Sequence, residues 1–227
     1  MSHAFLTNSV TSVILAGGLG KRLGGNKPHR ILNDMPLYQW AYNYCQAHTQ
    51  EVFFSLKPHQ FYQENFKNCH AGIIYDVSDH IDGPISGIVS SLIWIKKNRP
   101  LYEYIFTIPV DMPFLDPNLF KILCSNQINY PAKPLYVTEN NSSHYTIALW
   151  PITLATNILY HVQNKNLYRL QDLMNFYHAE KIDFSEKGSE KFSNINNFID
   201  LQKAHDTLKE NNQLQGRNQK VGYAEQS

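Results

Sequence analysis

The stretch Ser12-Val13-Ile14-Leu15-Ala16-Gly17-Gly18-Leu19-Gly20-Lys21-Arg22-Leu23-Gly24-Gly25-Asn26-Lys27 decides how this chain is read. A short β-branched run enters a bend of glycines with no spacer between, and three cations follow. Ser12 to Leu15 predicts a buried first strand. The glycines lack a Cβ, so the backbone turns sharply and several N–H groups approach one anion. Lys21, Arg22 and Lys27 add charge-assisted contacts of about 1.5 to 3 kcal/mol each when partly desolvated, which makes phosphate the expected guest. A solvated glycine-rich turn with incidental lysines is the plain alternative. Spacing excludes two common phosphate loops. Leu23 stands where a dinucleotide fingerprint needs its third glycine, and Gly20-x-x-x-x-Gly25 is followed by Asn26-Lys27 instead of Lys-Ser/Thr.

Outward from this loop, short apolar runs alternate with segments of helical period, the pattern of βαβ units. Leu37 to His48 reads as a helix, Val52 to Phe54 and Ile73 to Tyr75 as strands, Ile85 to Lys97 as a helix and Tyr104 to Ile108 as a buried strand. Leu135 to Val137 and Tyr145 to Trp150 flank the polar turn Glu139 to Ser143 and are expected to extend the sheet antiparallel. Helical periodicity returns at Thr153 to Val162, Leu167 to Phe176 and Phe198 to Leu208. The fold class is therefore α/β, a three-layer αβα arrangement around a mainly parallel, Rossmann-like sheet with an antiparallel extension. One domain is expected over residues 1–209, followed by a loosely ordered polar tail over 210–227.

Bulk composition narrows the function. Twenty Lys and Arg against nineteen Asp and Glu leave a formal charge of +1, so no global field favours nucleic acid or an anionic membrane. An anionic ligand must be held by local donors in a pocket. Cys45, Cys69 and Cys124 form no CxxC pair, and the ten histidines show no zinc-ligand spacing. Residues 1–11 carry no basic segment leading into an apolar run, and no stretch is long enough to span a bilayer. A cytoplasmic enzyme without membrane or nucleic-acid partners is expected.

Two carboxylates stand at strand ends, where open α/β sheets gather their ligands. Asp76 closes Ile73-Ile74-Tyr75 and precedes Gly83-Pro84-Ile85-Ser86-Gly87-Ile88, in which Pro84 suits the first position of a helix. Asp79 and Asp82 read as solvated loop charges. Asp111 lies in Ile108-Pro109-Val110-Asp111-Met112-Pro113, and as a hard oxygen donor it suits Mg²⁺, which takes one or two carboxylates and completes its octahedron with water and phosphate. Asp116 is better placed to cap the helix expected near Pro117. Asn197 with Asp200 forms a helix start. Arg169 offers a bidentate phosphate donor, with an exposed helix-face arginine as the alternative.

The loop resembles the fingerprint L-A-G-G-x-S-x-R-M-G-x-D-K of a nucleotidyltransferase family, in particular the molybdenum cofactor guanylyltransferases, with Gly20 for Ser, Leu23 for Met and Asn26 for Asp. The Asp76 segment is similar to the family's D-x-x-x-x-x-x-G-P-L-x-G-I, the Asp111 segment to its P-x-D-x-P-F, and Phe192 to Leu201 to its F-x-N-x-N-T-P-x-D-L, with Asn197 for Thr and Phe198 for Pro. The resemblance spans Val13 to about Leu201. It implies a nucleotide-diphospho-sugar-transferase type of fold and transfer of GMP from GTP to molybdopterin, bare or molybdenum-loaded. Leu15, Ala16, Gly17, Gly18, Lys27, Ser55, Asp76 and Asp111 would meet the nucleotide. Arg22, Lys27 and Asp111 would be catalytic, and Asp111 would hold Mg²⁺. Arg169, Asn194 and Asn196 would face the acceptor, with helix capping an equal reading for the two asparagines. Transient contact with other molybdenum cofactor proteins is implied as well. Ser55 stands where the family commonly has Asn, which weakens the guanine assignment. A CTP-using relative acting on molybdopterin or a sugar phosphate is the nearest rival, although such loops usually read A-A-G where this chain has Ala16-Gly17-Gly18. A non-catalytic nucleotide-binding module is the rival from another class, and the joint presence of Lys27, Asp76 and Asp111 speaks against it.

Overall fold

The computed structural model describes residues 7–18, 20–58, 66, 69–77, 81–185 and 192–210. The expected tail, apart from Glu210, lies outside the described residues, as do Leu19 and Asp79.

A seven-stranded sheet organises the chain. Its strands are β1 (Val10–Leu15), β4 (Val52–Leu56), β5 (Gly72–Tyr75), β6 (Tyr104–Pro109), β7 (Leu135–Glu139), β8 (Ser142–Pro151) and β9 (Glu180–Asp183), in the order β5-β4-β1-β6-β8-β7-β9. A small separate hairpin pairs β2 (Ile31–Leu32) with β3 (Met35–Pro36). β1, β4, β5 and β6 run parallel, and β8 pairs antiparallel with both β6 and β7. β9 adds a further parallel pair beside β7. The antiparallel extension is thus the single strand β8, with β7 and β9 running in the direction of β1.

Strand alternation divides the core between two helical layers. Val10, Ile14, Phe54 and Phe106 point to one face and pack with α1 (Leu37–Gln46) and α3 (Leu119–Gln127). Val13, Phe53, Ile105 and Trp150 point to the other and pack with α2 (Pro84–Asn98), α4 (Ile158–Asn164) and α5 (Leu170–Phe176). Both faces of the central strands are buried, so they read as continuous apolar runs, as parallel strands covered on both sides do. A last helix, α6, runs over residues 198–210 and covers a third cluster built on Leu23, Leu32, Leu37 and Ile195. Cys45 and Cys124 are buried free thiols, and burial pushes both up to about 12.

Some expected elements shift. The helix expected over Thr153 to Val162 is divided at Asn157 into a 3₁₀ segment, Ile152–Thr156, and α4. The helix expected from Leu167 starts at Leu170, because Asn166 adopts φ 53° and turns the chain first. Between β7 and β8 the polar turn is made by Asn140 and Asn141, with φ 48° and 65°, the double left-handed turn that matches strand twist.

Candidate active site

The parallel strands β5, β4, β1 and β6 deliver their carboxyl ends to one edge of the sheet, and a cavity of about 340 Å³ opens there. Leu15, Gly17 and Gly18 line it from β1, Ser55 and Lys57 from β4, Asp76 from β5, and Pro109, Val110 and Asp111 from β6. Asp76 and Asp111 follow strands three spacings apart, roughly 14 Å, so the cavity suits an elongated ligand.

The glycine-rich bend is built from left-handed residues: Gly20, Gly24, Gly25 and Asn26 have φ of 59°, 71°, 80° and 51°. A Cβ on Gly20 would stand 2.5 Å from the Cβ of Lys27, so the absence of a side chain there lets the bend fold back onto Lys27. Asparagine enters the left-handed region more readily than most residues. The Oδ1 of Asn26 lies 2.7 Å from Nδ1 of His29, so the amide serves the turn where the fingerprint has a carboxylate.

Lys27 is the meeting point of three distant segments. Its ammonium pairs with the Asp111 carboxylate and donates to Asn196 Oδ1 at 3.0 Å. The side chains of Lys27 and Asp111 are 13% and 11% exposed, so the pair is largely desolvated. The Ile195 N–H donates to the Asp111 carbonyl at 2.9 Å, which ties the paired-asparagine segment to the end of β6. The Asn196 N–H in turn donates to the Asp200 carboxylate, and the Asp200 N–H to Asn197 Oδ1, both at 2.9 Å, fixing the start of α6. A second, open cavity of about 260 Å³ adjoins the first and is lined by Gly20, Lys21, Arg22, Lys27 and Asn196. Lys27 lines both.

The far end of the first cavity is shaped by the start of α2. Gly83 has φ 76° and ψ −164°, a region essentially restricted to glycine, and Pro84 opens the helix. A Cβ on Gly87 would lie 2.4 Å from Ser55 Oγ, so the helix can approach β4 only as glycine. The backbone after Asp76 is held against α2 by the Val77 N–H donating to Ser90 Oγ at 2.9 Å. Ser55 Oγ lies 3.5 Å from the Asp76 carboxylate. Burial pushes the Asp76 carboxyl above its ordinary value, opposed in part by the Ser86 hydroxyl, the positive charge of Lys57 and the Ser55 hydroxyl.

Of the residues singled out in the sequence, Leu15, Gly17, Gly18, Lys27, Ser55, Asp76 and Asp111 line the first cavity together. Arg22 lines the second cavity and not the first. Ala16 has its side chain in the core, and its N–H donates to the Ser55 carbonyl at 3.0 Å, so that amide is not offered to a ligand. Asn196 lines the second cavity; Asn194 is exposed and lines neither. Arg169 is exposed at the start of α5, whose Leu173 and Met174 pack into the layer of α2, and it lines neither cavity. Asp116 accepts the Asn118 N–H at 2.8 Å ahead of α3, so Asp111 is not used as that helix's cap. Asp82 is exposed and pairs with Lys57 at 3.3 Å. Lys57 and Thr146 line the cavity without having been singled out. Position two beyond Ser55, on the same strand face, was a signal for Lys57; nothing local marked Thr146, which arrives from β8.

Comparison with known proteins agrees with this architecture. Residues 12–180 match the family model described as MobA-like NTP transferase domain. A molybdenum cofactor guanylyltransferase of Pasteurella multocida (strain Pm70) is 28% identical over 198 residues, covering 87% of this chain and 100% of the relative. Another, from Rhodopseudomonas palustris (strain HaA2), is 25% identical over 194 residues, covering 85% of this chain and 89% of its own length. Among solved structures, molybdopterin-guanine dinucleotide biosynthesis protein A from Archaeoglobus fulgidus superposes with a TM-score of 0.72 at 17% identity, over 88% of this chain and 99% of that one.

Proposed function

The chain belongs to the MobA-like NTP transferase domain family, and from that premise we propose that it moves GMP from GTP to the terminal phosphate of molybdopterin, releasing pyrophosphate. The observation that carries the reading is Lys27, which lines both cavities while paired with Asp111. A donor triphosphate in the first cavity and an acceptor phosphate in the second would meet at that ammonium. The names of the relatives support the guanylyl and molybdopterin assignments.

In this reading the amides of Gly17 and Gly18 and the Lys27 ammonium hold the triphosphate, and the nucleoside extends toward Ser55 and Asp76. Arg22, with Lys21 and Asn196 around the second cavity, holds the acceptor phosphate in line with the α-phosphorus. An acceptor phosphate oxygen forms the new P–O bond while the bond to pyrophosphate breaks. The attacking oxygen is already anionic, so no covalent enzyme nucleophile is needed, and positioning with electrostatic stabilisation supplies the rate.

Mg²⁺ would be held by Asp111. Among the described residues no group of three or more His, Cys, Asp or Glu side chains converges on a metal position. A lone carboxylate beside a phosphate cradle fits Mg²⁺, which commonly binds through one or two carboxylates and its substrate's phosphates. When bound it would offset charge developing on the pyrophosphate. Three free thiols accord with action in the cytoplasm.

The test compares melting temperatures with Mg²⁺ and GTP, CTP, ATP or UTP, followed by pyrophosphate release on adding molybdopterin. Ligand linkage raises the melting temperature most for the cognate base. Stabilisation by GTP with pyrophosphate release only in the presence of molybdopterin is expected; no stabilisation by any triphosphate defeats the reading.

A further inference from the structure

At the far end of the first cavity, a carboxylate, a hydroxyl and an ammonium stand on neighbouring strand ends. Asp76 follows β5, while Ser55 and Lys57 come from β4, and all three line the same space. The register sets Ser55 opposite Ile74 and Leu56 opposite Tyr75, so Lys57 emerges beside Asp76 across one strand spacing. The ammonium also acts electrostatically on the Asp76 carboxyl. Lys57 is partly exposed and reaches Asp82, whose side chain is 93% exposed, at 3.3 Å. Ion pairs that open to water hold weakly, so a ligand can draw Lys57 from Asp82 at little cost.

We propose that Lys57 determines base specificity by donating to the exocyclic oxo group of guanine while Asp76 accepts the adjacent ring and amino N–H groups; the inference rests on the guanylyl reading above. The chemistry is complementary on both counts. Guanine offers two neighbouring N–H donors, which a carboxylate accepts together, and beside them an oxo acceptor, which an ammonium satisfies. Adenine in the same pose turns amino hydrogens toward Lys57 and a ring lone pair toward Asp76. Cytosine does the same. Both are rejected twice, and rejection by unpaired polar groups is much stronger than rejection by shape alone. Ser55 is too short to read two edges of a base, and Lys57 takes over the acceptor-facing half of that task. Lys57 is thus a positive charge placed away from the triphosphate, for which the phosphate-binding role of Lys21, Arg22 and Lys27 gives no account.

Equilibrium titration of the full chain, in Mg²⁺ and without acceptor, with GTP, 6-thio-GTP, ATP and CTP separates the possibilities. The thio analogue keeps both N–H donors and weakens only the acceptor. The wild type is expected to bind GTP roughly tenfold or more tighter than the analogue, the range of a charge-assisted hydrogen bond. In Lys57→Met, GTP affinity falls to that of the analogue, which itself is unchanged. Lys57→Arg restores the preference for GTP in part, and the ligand-free melting temperature of each variant reports folding. Equal loss for both ligands in Lys57→Met, or an unchanged ratio between them, overturns the assignment. Wild-type binding of ATP or CTP as tight as that of GTP overturns the guanylyl reading itself.

Discussion

Asn196 accepts a hydrogen bond from the Lys27 ammonium at 3.0 Å, joining a residue of the glycine-rich bend to one 169 positions later in the chain. Asn196 lines only the second cavity, whereas Lys27 lines both. Replacing Asn196 with Ala therefore should act on the acceptor. The KM for molybdopterin is expected to rise roughly tenfold, as for loss of one hydrogen bond to a charged group. The KM for GTP should move less than threefold, by a rough allowance for context. Steady-state kinetics with each substrate varied in turn checks this, and an equal rise in both constants would remove the division of labour between the cavities.

Asp111 faces Lys27 in a largely desolvated pair, so Asp111→Asn keeps the volume and removes the charge. Two effects are expected. Pyrophosphate release should fall by about 100- to 1,000-fold, the scale of losing one preorganised electrostatic partner of the transition state. Stability should fall by only about 1 to 3 kcal/mol, because the carboxamide still accepts from Lys27. A calorimetric scan would show a cooperative transition moved down by several degrees. Wild-type turnover in this variant would refute the placement of Asp111 in the chemistry.

Gly87 tests how closely α2 must approach β4. A Cβ there would fall 2.4 Å from Ser55 Oγ and 3.3 Å from Leu15 Cδ2, both on residues that line the first cavity. Gly87→Ala benefits from higher helix propensity, worth about 1 kcal/mol, but overpacking of this kind costs about 1 to 3 kcal/mol. The steric cost wins, because the neighbours belong to buried strand ends. The ligand-free melting temperature should drop, and the extra stabilisation given by GTP should shrink as Ser55 is displaced. A variant more stable than the parent with full GTP binding would show that the helix has room.

Most of the cavity was legible because its residues lie at strand ends, and strands covered on both faces announce themselves as apolar runs. Leu15 ends such a run, and Ser55, Asp76 and Asp111 each follow one. Residues that reach the site by tertiary packing were not legible. Thr146 belongs to a strand whose position beside β6 depends on sheet order, which periodicity does not encode. β9, Glu-Lys-Ile-Asp, carries too little apolar content to read as a strand and is held by pairing with β7. Arg22 and Lys27 looked equivalent as cations near glycines, yet Arg22 faces the second cavity alone. The left-handed turns at Gly20 and Asn26 decide that difference, and a sequence pattern reports turn chemistry without reporting where the turn aims.

Asp76 gives a prediction about pH. Burial raises its folded-state pKa above the ordinary carboxylate value of 3.8, with Ser86, Lys57 and Ser55 opposing only part of the effect. Between that ordinary value and the raised one, the folded protein holds a proton that the unfolded chain has released. Stability therefore falls as pH rises through this window, and above it the ligand-free protein carries a partly buried, ionised carboxylate that disfavours folding. Asp76→Asn removes the ionisation. The melting temperature of the variant relative to wild type should climb as pH is raised from 3.8 through the raised folded-state value, and stay level above it. GTP binding should weaken in the same variant, since a carboxamide presents an amide donor where the carboxylate offers two acceptors. That pairing of a more stable ligand-free protein with poorer binding is what a site residue held in an unfavourable environment produces. A pH-independent difference in melting temperature between the two proteins would show that the Asp76 carboxyl titrates alike in the folded and unfolded states.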